Sequence, residues 1–249
     1  MLKTLGIVQL RRGLDQSASK ARRKLGGKSL LEWVVRRVTD CQRLDGVVVV
    51  LEDTAEDCAL GELVPADVPV YVSRERDSLS RVSAAMNEYG AKCVVRVCAD
   101  NPFIDPVLID RLVSMADTHN EADYIGYSSA DGLPAILSPL GVFAEWCSAA
   151  ALRAADRLAQ SPLDRAMVTR YLYTHPDQFR VRLLPVPAEM DRNDVRLKVD
   201  FEEDWENAQV IYDALGPEEW DWQRIADLLD HQPALRRRMA VLNRSEVQS

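Results

Sequence analysis

The sequence predicts an α/β fold, a parallel, doubly wound sheet with helices on both faces. Three observations point there. Apolar runs of strand length (2–9, 46–51 and 92–98) alternate with segments of helical periodicity, the connections between them are short, and two runs end on chemistry: a basic loop and an aspartate. Short connections between alternating strands and helices are crossover units, and crossovers join parallel strands.

The elements follow in order. Residues 2–9 form a first strand, and Ser29 offers an N-cap to a helix whose apolar face is Leu30, Leu31, Val34, Val35 and Val38. Residues 46–51 are continuously apolar, as in a strand buried on both faces, and Glu52 to Glu56 end that run before a short helix. Residues 68–72 make a third strand, which Pro69 assigns to an edge or a strand start. A helix from Asp77 to Tyr89 is closed by Gly90. The fourth strand, 92–98, delivers Asp100 to the carboxyl edge, and a helix resumes from Pro106 to Ala116. Residues 124–127 read as a short strand. From Ala135 the pattern changes: 136–142 is expected to be extended, 147–158 and 164–174 helical, and 179–186 and 195–199 strands. Helices over 202–215 and 219–229 and a basic tail from Leu235 complete the chain. Residues 1–249 are thus expected to form a single domain, with an α+β insert at about 135–186 and C-terminal helices from about 202.

Composition sets limits. With 31 Lys and Arg against 39 Asp and Glu, the net charge of −8 argues against a general nucleic-acid-binding surface. A small anionic ligand in one pocket stays compatible. The N-terminal apolar run is too short for a signal peptide and no run approaches a membrane span, so a cytoplasmic location without membrane association is expected. Five scattered cysteines and three separated histidines suggest neither a disulfide framework nor a zinc site, and Cys93 and Cys98 read as buried thiols.

Against that acidic background, the stretch after the first strand stands out. Arg11, Arg12, Lys20, Arg22, Arg23, Lys24 and Lys28 face a single acid, Asp15. A cationic loop at the carboxyl end of a first strand is where open α/β sheets hold a phosphate. It is not a Walker A loop, because the upstream glycine is missing, and Gly26-Gly27-Lys28-Ser29 reads as a turn before a helix N-cap. Asp100, at the tip of an apolar strand, suits Mg2+, a hard cation that binds one or two carboxylates together with substrate phosphates. Asp105 is better explained as the next helix's N-cap. Asp200 again ends an extended run before a helix, where capping is the competing explanation. Taken together, the basic loop, Asp100 and Asp200 could bring a nucleoside triphosphate and its metal to one rim.

These residues resemble the cytidylyltransferase-like nucleotide-diphospho-sugar transferases, in the branch named after a spore-coat polysaccharide biosynthesis protein. The branch pattern Gln-Ala-Arg-Met-Gly-Ser-Thr-Arg-Leu-Pro-Gly-Lys, laid without a gap on residues 9–20, matches at Gln9, Arg11, Gly13 and Lys20. Leu25, Gly27, Lys28, Leu30 and Leu31 are similar to the segment that follows. Asp77, Leu79 and Arg81 resemble Asp-Val-Leu-x-Arg. The most specific likeness is Arg96 to Pro106, similar to Arg-x-x-x-Asp-x-Pro-x-Ile-Asp-Pro. Gly141 and Glu145 match Gly-Leu-Asp-Val-Glu, Val168 and Thr169 are similar to the end of Glu-His-Val-Thr, and residues 197–204 resemble Leu-Thr-Val-Asp-Thr-Pro-Glu-Asp.

The resemblance implies the Rossmann-like, glycosyltransferase-A-like fold and transfer of CMP from CTP to a sugar hydroxyl, with pyrophosphate released. It also implies an acidic sugar and a role in surface polysaccharide biosynthesis. Asp100 and Asp200 would hold Mg2+. Arg11, Gly13 and Lys20 would carry the triphosphate, with Arg11, Lys20 and Asp100 as the catalytic set. Backbone near Leu10 would meet the cytosine, and Arg81, Arg96 and Glu145 would serve the sugar. By the same analogy, the insert would support a homodimer by reaching over a neighbour's site.

Departures concentrate in the working parts. Leu14, Asp15 and Gln16 replace Ser-Thr-Arg, Ala18 and Ser19 replace Pro-Gly, Phe143 replaces the aspartate of Gly-Leu-Asp-Val-Glu, and Met167 replaces the histidine of Glu-His-Val-Thr. Losing a charge-assisted phosphate contact costs about 1.5–3 kcal/mol. Three classes therefore stand open: an active cytidylyltransferase, a divergent nucleotide or nucleotide-sugar binder or glycosyltransferase that has lost cytidylyl transfer, and a partner-binding protein. Nucleotide binding separates the first two from the third, and pyrophosphate release separates the first from the second.

Overall fold

The computed structural model describes residues 2–10, 17–218 and 220–247. Among these, nine strands are found: β1 (Thr4–Gln9), β2 (Lys24–Leu25), β3 (Lys28–Ser29), β4 (Gly46–Glu52), β5 (Val70–Ser73), β6 (Cys93–Cys98), β7 (Tyr124–Ser128), β8 (Glu145–Ser148) and β9 (Val181–Pro185). Seven of them form one sheet in the order β5-β4-β1-β6-β8-β7-β9. Every pairing in it is parallel except those of β8, which runs antiparallel between β6 and β7.

The apolar runs explain why the sheet is buried on both sides. Leu5, Ile7, Val48, Val50 and Val94 point to one face, where the helices Ser78–Glu88 and Ala149–Leu158 pack. Val8, Val49, Leu51, Val95 and Val97 point to the other, beneath the helices Leu30–Thr39 and Pro106–Thr118 and the C-terminal helices. Successive strand residues alternate faces, so continuous apolar strands need a helical layer on each side. Asp77 caps its helix by accepting the Ser80 N–H, and Gly90 follows at φ +61°.

The short β2–β3 hairpin turns through Gly26 and Gly27 at φ +57° and +89°, the paired positive angles of a tight two-residue turn. Ser29 then caps the next helix by accepting the Glu32 N–H at 3.0 Å. This stretch is a turn before an N-cap, as its sequence reads.

Differences lie mostly beyond residue 135. The expected extended segment 136–142 instead holds a 3-10 turn at Ala135–Leu137, and the strand falls later, at β8, where a helix start was expected. Four residues are too few to show a period, and only pairing with β6 and β7 makes them a strand. The expected helix 164–174 divides into Pro162–Ala166 and Arg170–Thr174. Residues 195–199 form no strand: Leu197 and Lys198 both donate to the Pro139 carbonyl, Val199 donates to that of Asp100, and the chain bends at Lys198. Asp221 caps the helix Trp222–His231, and the basic tail is the helix Pro233–Val247. Cys98 is buried and Cys93 half-buried, and none of the five cysteines is joined in a disulfide. No helix among the described residues is long and apolar enough to cross a membrane.

Candidate active site

β1 is flanked by β4 on one side and β6 on the other, so successive crossovers leave it in opposite directions and open a crevice at its carboxyl end. Leu10, 7% exposed, closes that end, and the Ala99 N–H continues the ladder to the Gln9 carbonyl at 2.9 Å. Asp100 follows, half-buried at the rim. Beyond it Asn101 and Ile104 make the turn, and Asp105 caps the next helix through the N–H groups of Val107 and Leu108 at 2.8 and 3.1 Å. Burial raises the Asp105 pKa, against these N–H groups, that of Trp222 and Arg37.

Asp200 arrives from the far end of the chain. The Val199 N–H donates to the Asp100 carbonyl at 3.1 Å, while Leu197 and Lys198 N–H groups share the Pro139 carbonyl at 2.9 and 3.3 Å. Two acids one hundred positions apart thereby stand on adjacent segments. Lys198 Nζ lies 2.8 Å from Asp200 Oδ2, and Arg196 Nη2 lies 3.7 Å from the same oxygen. Asp200 Oδ1 is buried without a hydrogen-bond partner. Lys20, on the helix Ser17–Ala21, donates to the Asp200 carbonyl, and Arg23 pairs with Glu202. The described part of the basic loop therefore reaches the backbone at Asp200 and the side chain of Glu202.

The turn at Asp200 is held from behind. Asp204 accepts the N–H groups of Asp200 and Phe201 at 2.9 and 3.0 Å, and takes Arg196 bidentately at 2.6 and 3.1 Å. A second support is Gly141, at φ +68°, where a Cβ would lie 2.5 Å from the Lys198 nitrogen. Gly141→Ala is expected to cost about 1–3 kcal/mol in urea denaturation, because both the backbone angle and the Lys198 backbone resist it.

A cavity of about 130 Å³ joins Cys98, Asp100, Asn101, Gly141, Phe143 and Lys198. A wider one of about 1100 Å³ lies beside it and shares Leu137 and Ser138. Among the described residues no group of three or more His, Cys, Asp or Glu could hold a metal. Asp200 Oδ1, buried without a hydrogen-bond donor, is an oxygen suited to a hard cation, which binds one or two carboxylates and completes its shell with water and phosphate.

The remaining candidates are placed as follows. Arg96 and Glu145 face each other across β6 and β8 and pair at 2.7 Å, both buried, with the Tyr124 hydroxyl donating to Glu145 at 2.7 Å and Gln9 at 3.4 Å from Arg96. Burial would lower the Arg96 pKa, but Cys98 and Glu145 outweigh it and push it up. Burial and then Glu145 hold the Tyr124 hydroxyl well above its usual value. Arg81 sits on the other side of β1, 3.3 Å from Glu52 and donating to the Glu75 carbonyl at 3.0 Å. Phe143 is a core residue against Tyr127. Arg11 and Gly13, with Arg12, Leu14, Asp15 and Gln16, lie outside the described residues.

Sequence reasoning missed Lys198, Arg196 and Asp204. A signal was present: in an extended segment residues two apart share a face, which sets Arg196, Lys198 and Asp200 in one row.

The strand order, with one antiparallel strand inserted into an otherwise parallel seven-stranded sheet, is the fold found in known cytidylyltransferase structures. The sequence profile of the family described as cytidylyltransferase matches residues 5–242, and the chain belongs to that family. It is similar to the spore coat polysaccharide biosynthesis protein SpsF of Bacillus subtilis, 28% identical over 218 residues that cover 85% of this chain and 87% of that one. Its fold is similar to that of a cytidylyltransferase from Leptospira borgpetersenii, with a TM-score of 0.82 at 19% identity over 94% of this chain and 97% of that one. It is also similar to Rv0371c of Mycobacterium tuberculosis, solved as a complex with manganese, with a TM-score of 0.59 at 17% identity over 84% and 98% of the two chains.

Proposed function

We propose that this protein transfers CMP from CTP to a sugar hydroxyl in the cytoplasm, with Mg2+, for surface polysaccharide biosynthesis. One observation supports the reading: Asp100 and Asp200 stand on adjacent segments of the rim, and Lys20 of the basic loop donates to the main-chain carbonyl of the second. The sugar oxygen attacks the α-phosphorus, the bond to the β-phosphate breaks, pyrophosphate leaves, and the hydroxyl proton passes to solvent.

Asp100 and Asp200 would hold the ion, which when bound supplies neutralisation of charge on the reacting phosphates. Arg11, Gly13 and Lys20 bind and orient the triphosphate, and the backbone at Leu10 meets the cytosine. Arg96 and Glu145, each satisfied by the other, act as a fixed floor on the sugar side, and Arg81 stiffens the edge of the crevice through Glu52. The implied acidic sugar would draw on this side of the site.

The altered loop at 14–16 favours a second reading, a nucleotide or nucleotide-sugar binder without transfer activity. A thermal-shift screen of CTP, UTP, ATP and GTP with Mg2+, followed by pyrophosphate release over a panel of sialic, pseudaminic, legionaminic and ulosonic acids and neutral sugars, separates the two. Transfer predicts stabilisation by CTP and pyrophosphate with one sugar. Stabilisation with no pyrophosphate across the panel supports the binder, and no stabilisation by any nucleotide overturns both.

A further inference from the structure

Lys198 is an ammonium inside a site whose chemistry calls for a metal ion. Its side chain is 11% exposed and lies 2.8 Å from Asp200 Oδ2, and it lines the same small cavity as Asp100. The backbone beneath it is fixed, since its N–H is bonded to Pro139 and Gly141 leaves no room for retreat. The side chain is the part that can move.

Two cations cannot share that carboxylate without cost. A hard dication takes a carboxylate oxygen at roughly 2.0–2.1 Å, inside the distance at which the ammonium already sits. Lys198 and the ion therefore repel each other across Asp200. Arg196, 3.7 Å from the same oxygen, adds to the positive field. When the ion arrives with a triphosphate, the ammonium exchanges a shared carboxylate for a fresh anion within reach of its flexible stem. The sequence carries a matching exchange: Lys198 stands where the resembled pattern has threonine, and Gln16 where it has a phosphate-loop arginine.

We propose that Lys198 is a displaceable counter-ion, paired with Asp200 in the empty site and bound to the CTP phosphates in the filled one. The proposal rests on the nucleotide-binding reading above. It assigns this chain a phosphate-binding residue outside the N-terminal loop.

The test uses the full chain and two titrations that must move in opposite directions. Mn2+ alone, followed by its electron paramagnetic resonance signal, is expected to bind Lys198→Met about tenfold more tightly than wild type, because a repelling charge is gone. CTP with saturating Mg2+, followed by calorimetry, is expected to bind the same variant about 10–100-fold more weakly. Lys198→Arg, which keeps the charge, is expected to stay within a few-fold of wild type in both, and its urea midpoint guards against a folding defect at this position. A merely structural lysine would weaken both titrations together, and that result overturns the proposal, as does unchanged Mn2+ affinity in Lys198→Met. A wild-type protein that binds no nucleoside triphosphate overturns the function proposed above and the phosphate half of this inference, while tighter Mn2+ binding in Lys198→Met would still support the counter-ion half.

Discussion

Asp204→Ala is expected to remove about 3–5 kcal/mol of stability, the cost of leaving a buried guanidinium without its carboxylate. Arg196 and Asp204 are both fully enclosed, and the pair is bidentate. A typical domain has about 5–15 kcal/mol in total, so the urea midpoint should fall far enough to be seen without ambiguity. The loss has a second part. The same carboxylate takes the N–H groups of Asp200 and Phe201, and without it the turn that presents Asp200 is released. Mn2+ affinity should therefore fall together with stability. Asp204→Asn keeps an acceptor but not the charge and should lie between the two. A variant as stable as wild type would show that the Asp204 carboxylate is dispensable for holding Arg196.

Asp100→Asn is expected to lower CTP-dependent pyrophosphate release about 10³-fold or more while shifting the unfolding free energy by less than about 1 kcal/mol. Charge stabilisation by a bound ion is worth several kcal/mol at the transition state, and about 4 kcal/mol is three orders of magnitude in rate. Asparagine retains the shape and one acceptor oxygen but not the negative charge the ion requires. Asp105 supplies the contrast. It sits five residues on, caps a helix and takes the Trp222 N–H at 2.9 Å, so Asp105→Asn should reduce stability without abolishing transfer. Equal loss of activity in the two variants would remove Asp100 from the chemistry.

The legible part of this protein was the half in which local pattern and tertiary position coincide. Strands at 4–9, 46–52 and 93–98 are mostly apolar because both faces of the sheet are covered, and the helices Leu30–Thr39, Ser78–Glu88 and Pro106–Thr118 each open on a capping side chain. Beyond residue 135 that agreement ends. β8 is four residues whose strand character comes from pairing with β6 and β7, and residues 195–199 are held by the Pro139 and Asp100 carbonyls, which accept N–H groups of Leu197, Lys198 and Val199. Neither leaves a periodic trace.

The order of crossover units, the caps and the runs that end in Asp100 and Asp200 depend on residues near one another along the chain, and so could be read from it. The adjoining of the segments that carry the two aspartates, the pairing of Lys198 with the second, and the inward turn of Arg96 and Arg81 to Glu145 and Glu52 come from the folding of distant parts onto one another. Charges brought together across dozens of residues are chosen by sheet pairing and loop closure, and no local propensity reports which partner a buried charge will meet.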